Sequence, residues 1–241
     1  MTRALEFTLD QLTGRVRSHL TELSDPRCSL HKEVVVPFLA MRAAAAAEGI
    51  DLVAFSSFRD FDRQLAIWNG KFRGERPLLD RAGKPLEAAS MSAADKVAAI
   101  LCWSALPGAS RHHWGTDFDV LDGKALPYGY QLQVVPSEYL PGGIFERMTR
   151  WLDDHIHAFG FFRPYTTDRG GVQPELWHLS YARTAERAQR ALSFAALKGV
   201  LSEVEIEGRA AVLEALERNY GSYVVNVDTA PGEALLSPRL S

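Results

Sequence analysis

Cysteine is nearly absent from this chain: two residues in 241, Cys28 and Cys102. That excludes a disulfide framework and a Cys-rich metal site, and leaves two buried free thiols as the expectation. Extended basic stretches are missing too. No Lys/Arg run exceeds two residues and the formal net charge is -3, which argues against a nucleic-acid partner, since such proteins carry a basic patch or stripe. No apolar run approaches the roughly 20 residues that span a bilayer, so no membrane span is expected. The first twenty residues carry charges throughout and contain no apolar stretch of the secretory kind, and the expected location is cytoplasmic. Internal repeats and low-complexity segments are also lacking. What remains, 46% hydrophobic and 24% charged, is ordinary globular composition and enough chain to bury a core.

Helix and strand patterns alternate without a regular βαβ rhythm, so the expected class is α+β, a small antiparallel sheet flanked by helices. Residues 31–48 read as a helix stopped by Gly49, with Pro37 inside it as a kink. Residues 51–57 read as a buried strand and 61–72 as a helix capped by Ser57 or Asp60. A Gly-, Pro- and charge-rich loop covers 74–91. A helix begins after Ser92, whose spacing to Asp95 is that of a capping box, and the segment ends at Gly108. Strands are expected at 118–121, in the aromatic run 159–165 and at 177–181, with a helix over 144–158 that stops at Gly160. Beyond Ala182 the chain reads as helical, including 202–219 with Gly208 inside, then a final strand at 222–227. Residues 1–227 form one domain with helical extensions at both ends, and 228–241 a loose tail.

Two stretches carry chemistry: Ser110-Arg-His-His-Trp-Gly-Thr-Asp-Phe-Asp119 and Glu175-Leu-Trp-His178. A catalytic zinc takes three ligands from His and carboxylate and keeps one position open. A nearby carboxylate then accepts the proton of the attacking water. His112 and Asp119 are seven apart, so on one strand they face opposite ways; a turn at Gly115 brings them together. On a strand Asp119 opposes its neighbours Phe118 and Val120, an apolar setting in which a carboxylate needs a partner. Asp117 shares that face, and residue pattern alone does not separate the two aspartates. Glu175 and His178 converge only through a bend, which Pro174 supplies. His113 cannot share the direction of its neighbour His112, and His155 and His157 diverge on a helix.

Taken together, Ser110, His112, Gly115 and Asp119 followed by Glu175, Trp177 and His178 resemble the VanY-type D-alanyl-D-alanine carboxypeptidases of peptidase family M15. Those proteins share a fold with the LD-carboxypeptidases and the hedgehog signalling domain. A third block agrees: Ser57-Phe-Arg59, with Gln64 five residues after the arginine. The resemblance spans about 57–181. Ser57 stands where the family commonly has Gly, and Ala182-Arg183 replaces its usual ending. It implies a hedgehog/DD-peptidase-like fold and a zinc ion on His112, Asp119 and His178, choosing Asp119 over Asp117. It implies Glu175 as general base and then acid, and Arg59 as the charge that holds the oxyanion. Gln64, Ser110 and Trp177 then fall at the substrate.

The implied activity is removal of terminal D-Ala from peptidoglycan stem peptides, muropeptides being the partners. A cytoplasmic location favours LD-cleavage of tetrapeptides in recycling over DD-cleavage of D-Ala-D-Ala pentapeptides. An endopeptidase ranks lower, as no wall-binding repeat is present. A non-catalytic zinc-binding interaction domain is the reading from a different class, against which a retained Glu175 argues.

Overall fold

A computed structural model describes residues 7–236. In chain order, a hairpin of β1 (Leu20–Ser24) and β2 (Arg27–His31) leads to α1 (Val35–Ala47), β3 (Leu52–Ser56), α2 (Phe61–Phe72) and α3 (Ala93–Trp103). There follow β4 (Asp117–Asp122), α4 (Glu146–His155), β5 (Phe161–Phe162) and β6 (His178–Tyr181), then α5 (Ala182–Ala191), α6 (Phe194–Glu203) and α7 (Arg209–Tyr220). The fold is α+β, as the sequence implied. No described helix is long and apolar enough to cross a membrane.

The main sheet is antiparallel in the order β3-β4-β6-β5. Every residue of β4 is buried, because both faces are covered. The alternation of side chains along a strand sends Phe118 and Val120 into a core with Phe38 and Met41 of α1 and Met148 and Leu152 of α4. The Phe38 and Phe118 rings meet edge-on at 5.1 Å. Asp117 and Asp119 project from the other face of the strand. A second core joins α2, α3, α6 and α7 through Trp68, Ile100, Leu197 and Val212.

Local chemistry sets most boundaries. The Asp60 carboxylate accepts from the Arg63 amide and starts α2, and Ser92 caps α3 in the same way. Gly160, at φ 83°, stops the turn that follows α4. Several expectations fail for identifiable reasons. Pro37 does not kink α1: it lies in the first turn, where its missing N–H has no intrahelical acceptor. That helix begins at Val35 rather than at residue 31, because His31 is the last residue of β2. The helix α3 ends at Trp103, well before Gly108. Gly208 is no helix interior: with φ 71° it caps α7, and a Cβ there would meet a ring carbon of Phe72 at 2.3 Å.

Residues 221–225 extend α7 as a π-helical turn rather than a strand. Within the expected loop 74–91, Leu78–Leu79 pairs with Pro85–Leu86. Of the expected loose tail, residues 228–236 pack down, with Ala230 and Ala234 buried and Asp228 paired to Arg169; 237–241 lie outside the described residues. Cys28 and Cys102 are both free and buried.

Gly115 turns the chain between the two halves of the first motif. Its φ is 67°, and a Cβ would lie 2.4 Å from Leu20 Cδ2 and 2.8 Å from the His31 backbone nitrogen. Gly129 has φ 75° but nothing within 4 Å. Gly115→Ala should therefore destabilise by at least ~2 kcal/mol, combining backbone strain with overlap, and Gly129→Ala by about 1 kcal/mol. Denaturant unfolding of the two variants measures this; equal losses would mean that the close approach contributes nothing.

Candidate metal centre

Strand pairing assembles the centre. Asp119 on β4 lies directly opposite His178 on β6, and opposite Ser56 on β3. His112 arrives from the short 3-10 turn Arg111–Trp114, which Gly115 terminates. Ligating atoms of His112, Asp119 and His178 all fall within 4.8 Å of one another. His112 Nε2 is 3.5 Å from Asp119 Oδ2, and His178 Nδ1 is 3.3 Å from Asp119 Oδ1. Those separations match neighbouring ligands around a tetrahedral ion with bonds of about 2.0–2.1 Å.

Each imidazole has one nitrogen committed away from the centre. His112 Nδ1 lies 2.9 Å from the Ser57 carbonyl and donates to it, which leaves Nε2 as the free lone pair. His178 Nε2 lies 3.0 Å from Asp117 Oδ1, so its Nδ1 faces inward. That nitrogen is 3.3 Å from both Asp119 Oδ1 and Glu175 Oε2. Three acceptors thus converge, and Asp119 Oδ1 is buried with no hydrogen-bond donor. A cation between them satisfies all three. The residues fit zinc by donor type, number and spacing, with the acceptors on the outer ring nitrogens that zinc-binding histidines require.

Charge in the pocket agrees. Burial opposes ionisation of Asp119, yet His112 and His178 hold its carboxyl far below the usual range. Burial likewise opposes a charged His178, but the hydrogen bond to Asp117 and the nearby carboxylates of Asp119 and Glu175 raise it well above its ordinary value. The site is built to attract positive charge.

Asp117 is the residue whose role the sequence left open. It is not a ligand but the clamp on one. Arg111 Nε donates to its Oδ1 at 2.7 Å and Thr116 Oγ1 to its Oδ2 at 2.6 Å. Arg111 also donates to Ser180 Oγ and Gln189 Oε1. Arg111 went unnoticed in the sequence because it occupies an unspecified place between Ser110 and His112.

The centre lies in a cleft of about 450 Å³. Arg59 reaches it from the loop after β3, its guanidinium donating to Gln64 Oε1 at 2.9 Å and Ser56 Oγ at 3.2 Å. Burial lowers its pKa, while the charges of Asp119 and Glu175 act the other way. Ser110 and Trp177 line the cleft, and Trp177 packs on Tyr139 with ring centres 5.2 Å apart. Gln64 does not reach the cleft wall. It is fully buried behind Arg59, its Nε2 donating to the Ala105 carbonyl at 2.7 Å. His113 is turned away, with Nδ1 on the Arg59 carbonyl and Nε2 accepting from the Gly108 amide. Lys71 also lines the cleft. Helical spacing from Gln64 through Trp68 to Lys71 places it on that side of α2, a signal the sequence did contain.

Asp117→Asn keeps the volume beside Arg111 but weakens the hold on His178. It should lower zinc affinity by about 10- to 100-fold with the fold retained, as measured by competition against a chromophoric chelator. Unchanged affinity would reduce Asp117 to a partner of Arg111 alone.

Comparison with known proteins follows the same outline. The family model described as "VanY: D-alanyl-D-alanine carboxypeptidase" matches residues 27–184. A Haemophilus influenzae protein described as uncharacterized is 44% identical over 105 residues, which is 42% of this chain and 72% of that protein. A D-alanyl-D-alanine carboxypeptidase of Enterococcus faecalis is 26% identical over 141 residues, 57% of this chain and 42% of that protein. Among solved structures, VanYB in complex with D-alanine-D-alanine superposes with a TM-score of 0.50 at 22% identity, covering 77% of this chain and 89% of that one; the likeness is one of fold. With the family match running from β2 to the start of α5 and enclosing every ligand of the centre, the chain belongs to the VanY family of D-alanyl-D-alanine carboxypeptidases.

Proposed function

We propose that this protein is a zinc carboxypeptidase that removes a C-terminal D-Ala from peptidoglycan stem peptides. The observation that carries the reading is the donor-less, buried Asp119 Oδ1 facing His178 Nδ1, with Glu175 Oε2 beside them at 3.3 Å from that same nitrogen. A complete ligand set with an adjacent, partly exposed carboxylate is the equipment of hydrolysis rather than of structural metal binding. When bound, zinc polarises the scissile carbonyl and brings the pKa of a water molecule down towards roughly 7.

The chain's own residues do the rest. Glu175 takes the proton from the attacking water and delivers it to the departing amine as the C–N bond breaks, so one carboxylate serves as base and then acid. Arg59 offers a fixed positive charge where the carbonyl oxygen becomes negative, and Gln64 and Ser56 hold its guanidinium in place. His112 and His178 keep their orientation through the Ser57 carbonyl and Asp117. Ser110 and Trp177 form part of the surface against which the peptide rests.

Two scissile bonds fit this chemistry. The family description and the ligand of the VanYB structure favour the D-Ala-D-Ala bond of pentapeptides. The LD bond of tetrapeptides is the competing form, and it would place the enzyme in muropeptide recycling. Purified protein should release one D-Ala from at least one of the two, as followed by mass spectrometry. Chelation should abolish release and added zinc restore it. Glu175→Ala should retain zinc by elemental analysis while turnover falls by about 10²- to 10⁴-fold. A variant that keeps its turnover, or a wild type that leaves both peptides intact, refutes the assignment.

A further inference from the structure

The cleft holds a cation that the hydrolytic chemistry does not use. Lys71 lies in the last turn of α2, half-buried, with its ammonium on the neutral Ser104 hydroxyl at 2.6 Å. No carboxylate lies within ion-pairing distance of it among the described residues. Burial brings its pKa down to about 8, with the charge of Glu175 pulling the other way. A desolvated ammonium whose sole bonded partner is a hydroxyl is an incomplete arrangement. Such a group is unfavourable unless an anion completes it, and Lys carries three donors, of which Ser104 takes one.

Position narrows the identity of that anion. Gln64 was expected to fall at the substrate, but both ends of its amide are occupied, by Arg59 and by the Ala105 carbonyl. Two turns further along the same helix, Lys71 reaches the cleft beside Ser104 and Ala105. It lines the same cleft as Glu175 and Arg59, whose charges act on its ammonium in opposite senses. Arg76 also lines the cleft but is exposed; Lys71 is the enclosed one.

We propose that Lys71, together with the Ser104 hydroxyl, receives the terminal carboxylate of the substrate and thereby makes this site an exopeptidase. The inference rests on the carboxypeptidase reading above and adds to it the residue that selects a free chain end. The carboxylate accepts from the ammonium, and Ser104, already accepting from Lys71, retains its own hydrogen to donate. A chain continuing past this point would bring a neutral amide against the buried ammonium and leave it unpaired. That same mismatch separates this cleft from one that cuts within a cross-linked peptide.

The test compares the stem peptide that the wild type cleaves with the same peptide bearing a C-terminal carboxamide, reading D-Ala or D-alaninamide by mass spectrometry. The wild type should favour the free acid by about 10- to 100-fold in kcat/KM, the range for a charge-assisted hydrogen bond. Lys71→Met should erase that preference by raising KM for the acid. Its kcat should stay within about threefold and its rate on the amide should be little changed, because the lost interaction is one of uniform binding. Lys71→Arg should restore most of the preference, and zinc content and thermal midpoint should match the wild type in both variants.

Equal losses of Lys71→Met on acid and amide would make Lys71 a structural residue and overturn the inference. A wild type that cleaves both peptides equally would do the same while leaving the hydrolase intact. A wild type that releases nothing from any stem peptide takes down the carboxypeptidase reading and, with it, this one.

Discussion

Two buried carboxylates on one face of β4 are the constraint around which this molecule is arranged. Asp117 is fully buried and Asp119 nearly so, on a strand whose opposite face is a packed aromatic and aliphatic core. Each ionised group costs several kcal/mol to bury unless it is paired and hydrogen-bonded. The chain meets that cost in two different ways. Asp117 is closed off by Arg111, Thr116 and His178, and so is satisfied by protein alone. Asp119 is surrounded by imidazole nitrogens and keeps one oxygen without a donor, and so is satisfied only when a cation arrives. Two aspartates on the same face of the same strand are thus made into a clamp and a ligand by what stands opposite each.

That difference explains why the sequence could not separate them. Strand parity placed both on the polar face, correctly, and the Gly115 turn and the bend after Pro174 were legible as the means of convergence. Choosing between Asp117 and Asp119 requires the register of β4 against β6, where Asp119 faces His178 and Asp117 faces Ser180. Register is a long-range property, set by contacts more than fifty residues apart, and no local pattern encodes it. The resemblance to a known family supplied the choice that periodicity could not.

The other misreadings share that cause. Pro37 and Gly208 carry strong local signals whose meaning depends on where the helix begins, and in both cases the boundary lay a few residues from the expected one. Residues 222–227 are β-branched enough to suggest a strand, but 221–225 continue α7 as a π-helical turn instead. The hairpin at 20–31 was missed because its first strand lacks a clean alternation and has no fully buried position, although its second strand alternates, burying Cys28 and Leu30. The core helix α2, with a cap residue and an apolar side in register, was readable to the residue, and α3 was readable at its capped start but not at its end.

The segment beyond the family match contributes to the centre despite its distance from it. Arg111, which holds Asp117 and through it His178, donates its third contact to Gln189 on α5, and Gln189 in turn donates to the Val224 carbonyl beyond α7. Gln189 lies outside the matched span of 27–184. A buried guanidinium with five donors needs acceptors on every side, and here the sheet provides two of them and α5 the third. The final helices of the chain therefore bear on the orientation of a zinc ligand through three successive polar contacts, His178 to Asp117 to Arg111 to Gln189. Asp117 and Gln189 do not line the cleft. Their bearing on the centre is through the angle at which His178 presents its Nδ1, and outer groups of this kind govern how tightly a metal is held.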